Sequence, residues 1–151
     1  MNNNIALELL SDQINSLHNA TLWLQRSYSQ CEDINTEVSL SDDDFDKLET
    51  LTSRFARVID FLIYKVFKSI DVYELENIGS ILDIVNRAHK RNLFDSVEEI
   101  RQMKDLRNDI AHEYDNNALI EIFTDTLGYT PKLITIVNNT KTYCHNILKR
   151  G

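Results

Sequence analysis

Residues 107–114, Arg-Asn-Asp-Ile-Ala-His-Glu-Tyr, gather in one short stretch the residue types that can act on a phosphodiester. A histidine takes up and returns protons near neutral pH, and an arginine binds a phosphate through two parallel N–H donors. Asn108 and Asp109 precede His112 by about one helical turn, so either side chain is placed to orient the imidazole. Arg107 and His112 are therefore candidate catalytic residues, and Asn108 and Asp109 are candidate supporting residues.

An unbroken helix would keep Arg107 and His112 apart. At about 100° per residue, His112 lies about 140° around the axis from Arg107, while Tyr114 returns almost over Arg107. Two arrangements would let both act on one phosphate: the helix ends within the segment, or two copies of the chain pool their segments across a two-fold axis. A structural alternative stays open, in which Arg107 pairs with Glu113 or Asp109 and the helix dipole stabilises a cationic His112.

Charge is unevenly distributed in this acidic chain. The formal net charge is −8, yet residues 37–49 alone hold six acids and one lysine. Arg101 and Lys104 precede Arg107 at steps of three, which predicts a short basic track leading to the motif and suited to phosphate contacts. The chain lacks a glycine-rich phosphate loop and an HExxH zinc motif, so the sequence predicts neither a cofactor nor a metal.

The elements that must position this segment are predicted to be helices. Apolar residues recur at steps of three and four, and the chain has only three glycines and one proline. The pattern predicts a single all-α domain over residues 1–151, an up-and-down bundle of four to five main helices. The predicted helices run from Leu7 to near Cys31, from an N-cap at Ser41 to Ile70, from Ile78 to Lys90, from a capping box at Ser96 to the motif, from Ala118 to Leu127, and onward from Pro131 after a C-cap at Gly128.

The second predicted helix is apolar on more than one face between residues 58 and 67. Val58, Phe61, Ile63, Tyr64 and Phe67 lie off its main apolar stripe. Because both faces must be covered, the helix either lies at the centre of the core or presents one face to a second copy of the chain. The sequence favours neither interpretation over the other.

The sequence also predicts the compartment. The longest apolar run, residues 61–64, is too short to span a bilayer, and the N-terminus lacks the pattern of a signal peptide. We therefore expect a cytoplasmic chain. Cys31 and Cys144 are predicted to be free, buried thiols, since a reducing compartment disfavours a disulfide.

The spacing Arg-polar-x-x-x-His-x-Tyr at a helix end, in a small all-α chain, resembles the HEPN superfamily and most closely its HepT-type toxins. The motif of that family, R-x4-H-x-Y, is matched by Arg107, His112 and Tyr114, with Asn108 as the polar residue after the arginine. The resemblance in helix order covers most of the chain, and the motif is its specific part.

The resemblance implies a metal-independent endoribonuclease that is active as a homodimer. In that mechanism the 2′-OH of the RNA attacks the adjacent phosphate, His112 is the general base or acid, and Arg107 stabilises charge on the phosphate. Asn108 and Asp109 support the site, and Arg101 and Lys104 contact RNA. The resemblance also implies a toxin–antitoxin module, whose MNT-type nucleotidyltransferase silences the toxin by transferring AMP to Tyr114.

Two other functions stay open at this point. Some relatives in the superfamily are non-catalytic, substrate-binding companions of nucleotidyltransferases, which would make this chain a regulatory partner subunit. The other possibility is a purely structural helical dimer, in which the motif is a salt-bridged helix end.

Overall fold

The computed structural model describes residues 3–74, 76–112 and 115–150, and within these ranges the chain is helical without strands. The predicted all-α bundle is confirmed. None of the helices in the described ranges combines the length and the apolarity that a bilayer crossing requires. The elements are α1 (Asn3–Cys31), α2 (Asp42–Ile59), a π-helical segment (Asp60–Phe67), α3 (Lys68–Tyr73), α4 (Ile81–Lys90), α5 (Val97–Ile110) and α6 (Asn116–Arg150).

One continuous helix, formed by α2, the π segment and α3, runs through the middle of the bundle. Of the residues predicted to form its second apolar face, Val58, Ile63 and Phe67 are fully buried within this chain. Tyr64 is 37% exposed, and Phe61 is partly buried. The central position in the core thus accounts for most of the second face, and only Phe61 and Tyr64 are left at the surface.

The N-caps of α2 and α5 lie where the sequence predicts them. Ser41 Oγ accepts the N–H of Asp44 at 3.1 Å, and Ser96 Oγ accepts the N–H of Glu99 at 3.2 Å. The capping box predicted at Ser96 is only half formed, because the Glu99 carboxylate contacts Lys132 Nζ at 3.1 Å instead of turning back to Ser96.

The start of α4 differs from the prediction, which placed it at Ile78. The helix begins at Ile81, after a reciprocal capping box between Ser80 and Asp83. Gly79 precedes the cap with φ +64°, a left-handed conformation that an L-residue adopts with strain. The cap and this turn together end the loop three residues later than the apolar pattern predicts.

The break predicted at Gly128–Pro131 is wrong, because α6 runs unbroken through both residues. Buried side chains continue along one face on both sides of Pro131, so ending the helix there would expose that face. Thr130 Oγ donates to the carbonyl of Thr126 at 2.7 Å, which satisfies a buried hydroxyl within the helix. Packing therefore outweighs the local preference of proline and glycine for helix ends.

An ion-pair network joins α3, α4 and the residue after α4. Asp71 is fully buried and contacts Arg87 Nη1 at 3.0 Å and Arg91 Nη1 at 2.8 Å. Arg91 Nε also binds Glu74 at 2.7 Å, and Tyr143 of α6 donates to the same carboxylate at 2.7 Å. Two arginines of the basic run at 87–91 are thus paired internally with carboxylates, which makes them less available to a nucleic acid.

Candidate functional site

Three buried side chains of α5 fix the direction of Arg107. Ile100, Met103 and Leu106 face the core at helical spacing, so the next residue, Arg107, lies on the flank that faces α2. Its side chain is 29% exposed. Helix α5 therefore places the Arg107 guanidinium at the edge of the π segment.

Arg107 forms a two-point ion pair with Asp60, the first residue of the π segment. Its Nε donates to Oδ1 at 2.7 Å and its Nη2 donates to Oδ2 at 2.8 Å. The hydrogen bonds that Arg107 donates to Asp60 raise the pKa of Arg107, so the guanidinium stays charged. The structural alternative predicted a partner for Arg107 at Glu113 or Asp109, whereas the partner found comes from the second helix.

This geometry uses only one edge of the guanidinium. An arginine has five N–H donors, and the pair with Asp60 takes one at Nε and one at Nη2. The other edge, formed by Nη1 and the second hydrogen of Nη2, retains the spacing that matches two phosphate oxygens. Asp60 thus holds Arg107 in one orientation and leaves it chemically able to bind an anion.

Helix α5 ends between Arg107 and His112. Its last residue is Ile110, and Ala111 is the C-cap. The N–H groups of Ala111 and His112 donate to the carbonyls of Asn108 and Asp109, both at 3.1 Å. These bonds span three residues in place of four, so the last turn tightens and His112 leaves the helical register. The separation of about 140° expected for an unbroken helix therefore does not apply to His112.

His112 is exposed and borders a cavity of about 410 Å³ between α2, the end of α5 and the start of α6. The cavity is lined by apolar residues and by three polar residues of α2. Its lining comprises Glu49, Thr52, Ser53, Ile110, His112, Leu119, Ile122 and Phe123. Arg107 is paired at a different cavity, since Asp60 lines the groove between α1 and the π segment. Within one chain, Asp60, which is the partner of Arg107, and His112 therefore border separate cavities.

The supporting residues lie on the exposed side of the α5 end. Asn108 and Asp109 are both exposed, and their carbonyls hold the tightened turn described above. The charge of Asp109 also reaches α6: burial first, then Glu121 and Asp109, raise the pKa of Asp125. The motif thus has a negative neighbour on its α6 side.

Arg101 and Lys104 lie together on another side of α5. Both border a small cavity against α4, and Arg101 pairs with Glu98 at 3.4 Å across the helix surface. Arg107 faces α2 instead. The predicted basic track is therefore divided between two sides of the helix, while Glu113 and Tyr114 lie outside the described residues.

Sequence reasoning missed Asp60 and the groove beside it. Asp60 is the only acid within residues 50–70, and that isolation inside an apolar run was a usable signal. Trp23 was a second signal, because a tryptophan off the apolar stripe of α1 must be exposed or covered by a partner. It is 51% exposed.

The comparisons with known proteins identify no relative. A scan of protein-family models, a search of curated proteins and a search of solved structures each found no match. Within the described ranges, no group of three or more His, Cys, Asp or Glu side chains is placed to hold a metal ion. Any function must therefore be argued from the site itself.

Proposed function

We propose that this chain is a metal-independent endoribonuclease of the HEPN type, active as a homodimer. The observation that carries the proposal is the arrangement of the motif: Asp60 fixes Arg107 with one donor edge left for a phosphate, and α5 ends before an exposed His112. Because one chain places Asp60 and His112 at different cavities, the proposal relies on the other predicted arrangement, in which two copies pool their motifs across a two-fold axis. The proposed compartment is the cytoplasm.

The proposed reaction is a transesterification within the RNA. The 2′-oxygen forms a bond to the adjacent phosphorus while the bond from phosphorus to the 5′-oxygen breaks. His112 takes the proton of the 2′-OH, and a protonated His112 supplies one to the departing 5′-oxygen; in a homodimer the two copies can divide these roles. Arg107 stabilises the negative charge on the phosphate oxygens. The products are a 2′,3′-cyclic phosphate and a 5′-hydroxyl.

The proposal includes a partner, an MNT-type nucleotidyltransferase that silences the enzyme by transferring AMP to Tyr114. Tyr114 follows His112 by two residues, so an attached phosphate would be close to the motif. A phosphate there would compete with the substrate phosphate for the same guanidinium.

The direct test is cleavage of RNA and of DNA of the same sequence in EDTA by the purified chain. We expect RNA cleavage that leaves a cyclic phosphate, no cleavage of DNA, and loss of cleavage in His112→Ala. His145→Ala is the matched control, because His145 is an exposed histidine of α6 outside the motif. Undiminished cleavage by His112→Ala would contradict the proposed mechanism.

A non-catalytic partner subunit of a nucleotidyltransferase is the second candidate. Two observations favour it: Arg107 is already paired, and Asp60 and His112 border different cavities. In that case neither nucleic acid is cut, and the chain copurifies with the transferase. A transferase gene in the neighbouring reading frame would support both candidates, so the cleavage assay must separate them.

A further inference from the structure

A groove of about 640 Å³ runs between α1 and the start of the π segment, on the side where Asp60 holds Arg107. Trp23 forms part of one wall, and Phe61 forms part of the other. We propose that this groove binds single-stranded RNA, with Trp23 stacking on a base and nearby cations binding the phosphates. The inference rests on the proposed ribonuclease function and names the form of its substrate.

Trp23 is held in place as a stacking surface. Arg54 of α2 lies 5.0 Å from the centre of the indole ring, and its Nη1 donates to the Trp23 carbonyl at 3.3 Å and to Ser27 Oγ at 2.7 Å. These bonds hold the guanidinium against the indole. Despite this contact Trp23 is 51% exposed, which leaves indole surface for a base. Stacking on an aromatic ring is the main sequence-tolerant contact of proteins with single-stranded nucleic acid.

The charge of the groove matches a polyanion. Arg57 and Lys65 line it, both are exposed, and neither takes part in an ion pair with another described residue. The one acid in the lining, Asp60, is already neutralised by Arg107. By contrast, Arg87, Arg91 and Lys132 all have carboxylate partners. In a chain of net charge −8, this is a local concentration of uncompensated cations.

The same observations disfavour a second copy of the chain as the occupant. A two-fold interface would place each patch against itself, and the cations at Arg54, Arg57 and Lys65 would then face their own copies. A duplex is also a poor fit, because its bases are stacked on one another and cannot reach an indole in a groove. A single strand supplies both an accessible base and phosphates.

The experiment uses Trp23 as its own reporter, because it is the only tryptophan of the chain. The full chain is titrated with a short 2′-O-methyl oligouridine, which the proposed nuclease cannot cleave, and with a duplex of equal length. We expect saturable quenching of the indole by the single strand and much weaker quenching by the duplex. Quenching that is absent, or equal for the duplex, overturns the proposal.

Variants are compared by the anisotropy of a labelled oligouridine. Trp23→Ala should weaken binding by about 5- to 150-fold, the range for loss of one stacked base. Arg57→Gln should lower the slope of log affinity against log salt by about 0.7, the value for one phosphate contact on a single strand. Lys149→Gln, which removes an exposed cation at the far end of α6, is the matched control and should change neither quantity.

The outcomes separate this inference from the proposed function. RNA cleavage with a KM unchanged in Trp23→Ala and Arg57→Gln would refute the groove and leave the nuclease standing. Binding that depends on Trp23 without cleavage would refute the nuclease and support the groove. If the two variants instead turn a dimer into a monomer in light scattering, at unchanged RNA affinity, the surface belongs to a second copy and the proposal fails.

Discussion

Asp60 determines what Arg107 can do chemically. The two-point contact fixes the guanidinium plane, which removes the rotational freedom that an unpaired arginine would lose on binding a phosphate. The pair is also partly exposed, at 29% for the arginine side chain and 41% for the aspartate. Exposed ion pairs contribute little to stability, so its main effect is to position Arg107.

Asp60→Asn should therefore separate activity from stability. We expect RNA cleavage to fall about 10- to 100-fold, because a small misplacement of a catalytic group carries that cost. The free energy of unfolding should fall by less than about 1 kcal/mol, since the pair is screened by solvent. The measurements are single-turnover cleavage and urea denaturation.

Asp43→Asn is the matched control for this variant. It removes the carboxylate of another exposed ion pair of α2, with Lys47 at 3.0 Å, at the opposite end of that helix from Asp60. Cleavage by Asp43→Asn should equal that of the parent chain. An equal loss of activity in both variants would show that general electrostatics, and not the position of Arg107, accounts for the effect.

The end of α5 and the start of α6 are formed by different means. Helix α5 stops because its last turn tightens at Ala111 and His112, whereas α6 begins with Asp115 Oδ1 accepting the N–H of Ala118 at 2.9 Å. Beyond that start, α6 extends to Arg150 without interruption. A long helix anchored in the core therefore begins four residues after His112.

Substitution of glycine by alanine tests the continuity of α6. A Cβ at Gly128 would meet no atom within 4 Å, and the backbone is helical. Gly128→Ala should therefore raise the free energy of unfolding by roughly 0.5–1 kcal/mol, because alanine is the better helix former. Gly79→Ala is the contrasting variant and should destabilise the chain, since φ is +64° there and the new Cβ would collide with the Asp83 carboxylate. Destabilisation by Gly128→Ala would contradict an unbroken α6 and would indicate that a helix ends at Gly128.

The charged residues discussed above lie in three kinds of environment. The acids at the start of α2 stay on the surface, the buried Asp71 is balanced by two arginines, and two cations without an ion pair, Arg57 and Lys65, lie at the groove beside Trp23. The two thiols, Cys31 and Cys144, are free and buried, as the sequence predicts. Burial raises the pKa of Cys144 to about 12.

The raised pKa of Cys144 predicts how the free energy of unfolding depends on pH. Above a pH of about 9 the unfolded chain loses the Cys144 proton while the folded chain keeps it, so unfolding releases a proton. Stability should then fall with rising pH, by up to about 1.4 kcal/mol per unit for this one group. Urea denaturation between pH 8 and about 10 measures the slope. Cys144→Ala should reduce it, and an unchanged slope would contradict the assignment to Cys144.

Local patterns in the sequence determined the helices, their serine caps and the candidate motif. Apolar spacing gives the helical faces, and a capping serine acts within three residues, so both are visible in the chain itself. The local pattern gave a wrong prediction at Gly128–Pro131. There α6 continues because one of its faces is buried against neighbouring helices, and those contacts are not visible in the local sequence.

Only the tertiary structure decided which distant groups meet. Asp60 and Arg107 are 47 positions apart, and no local pattern pairs them. The burial of one apolar face of the central helix, and the groove left beside Trp23, depend on how α1 packs against the π segment. Helical periodicity tells which residues share a face, whereas the partner of each face is set by packing the whole chain into one core.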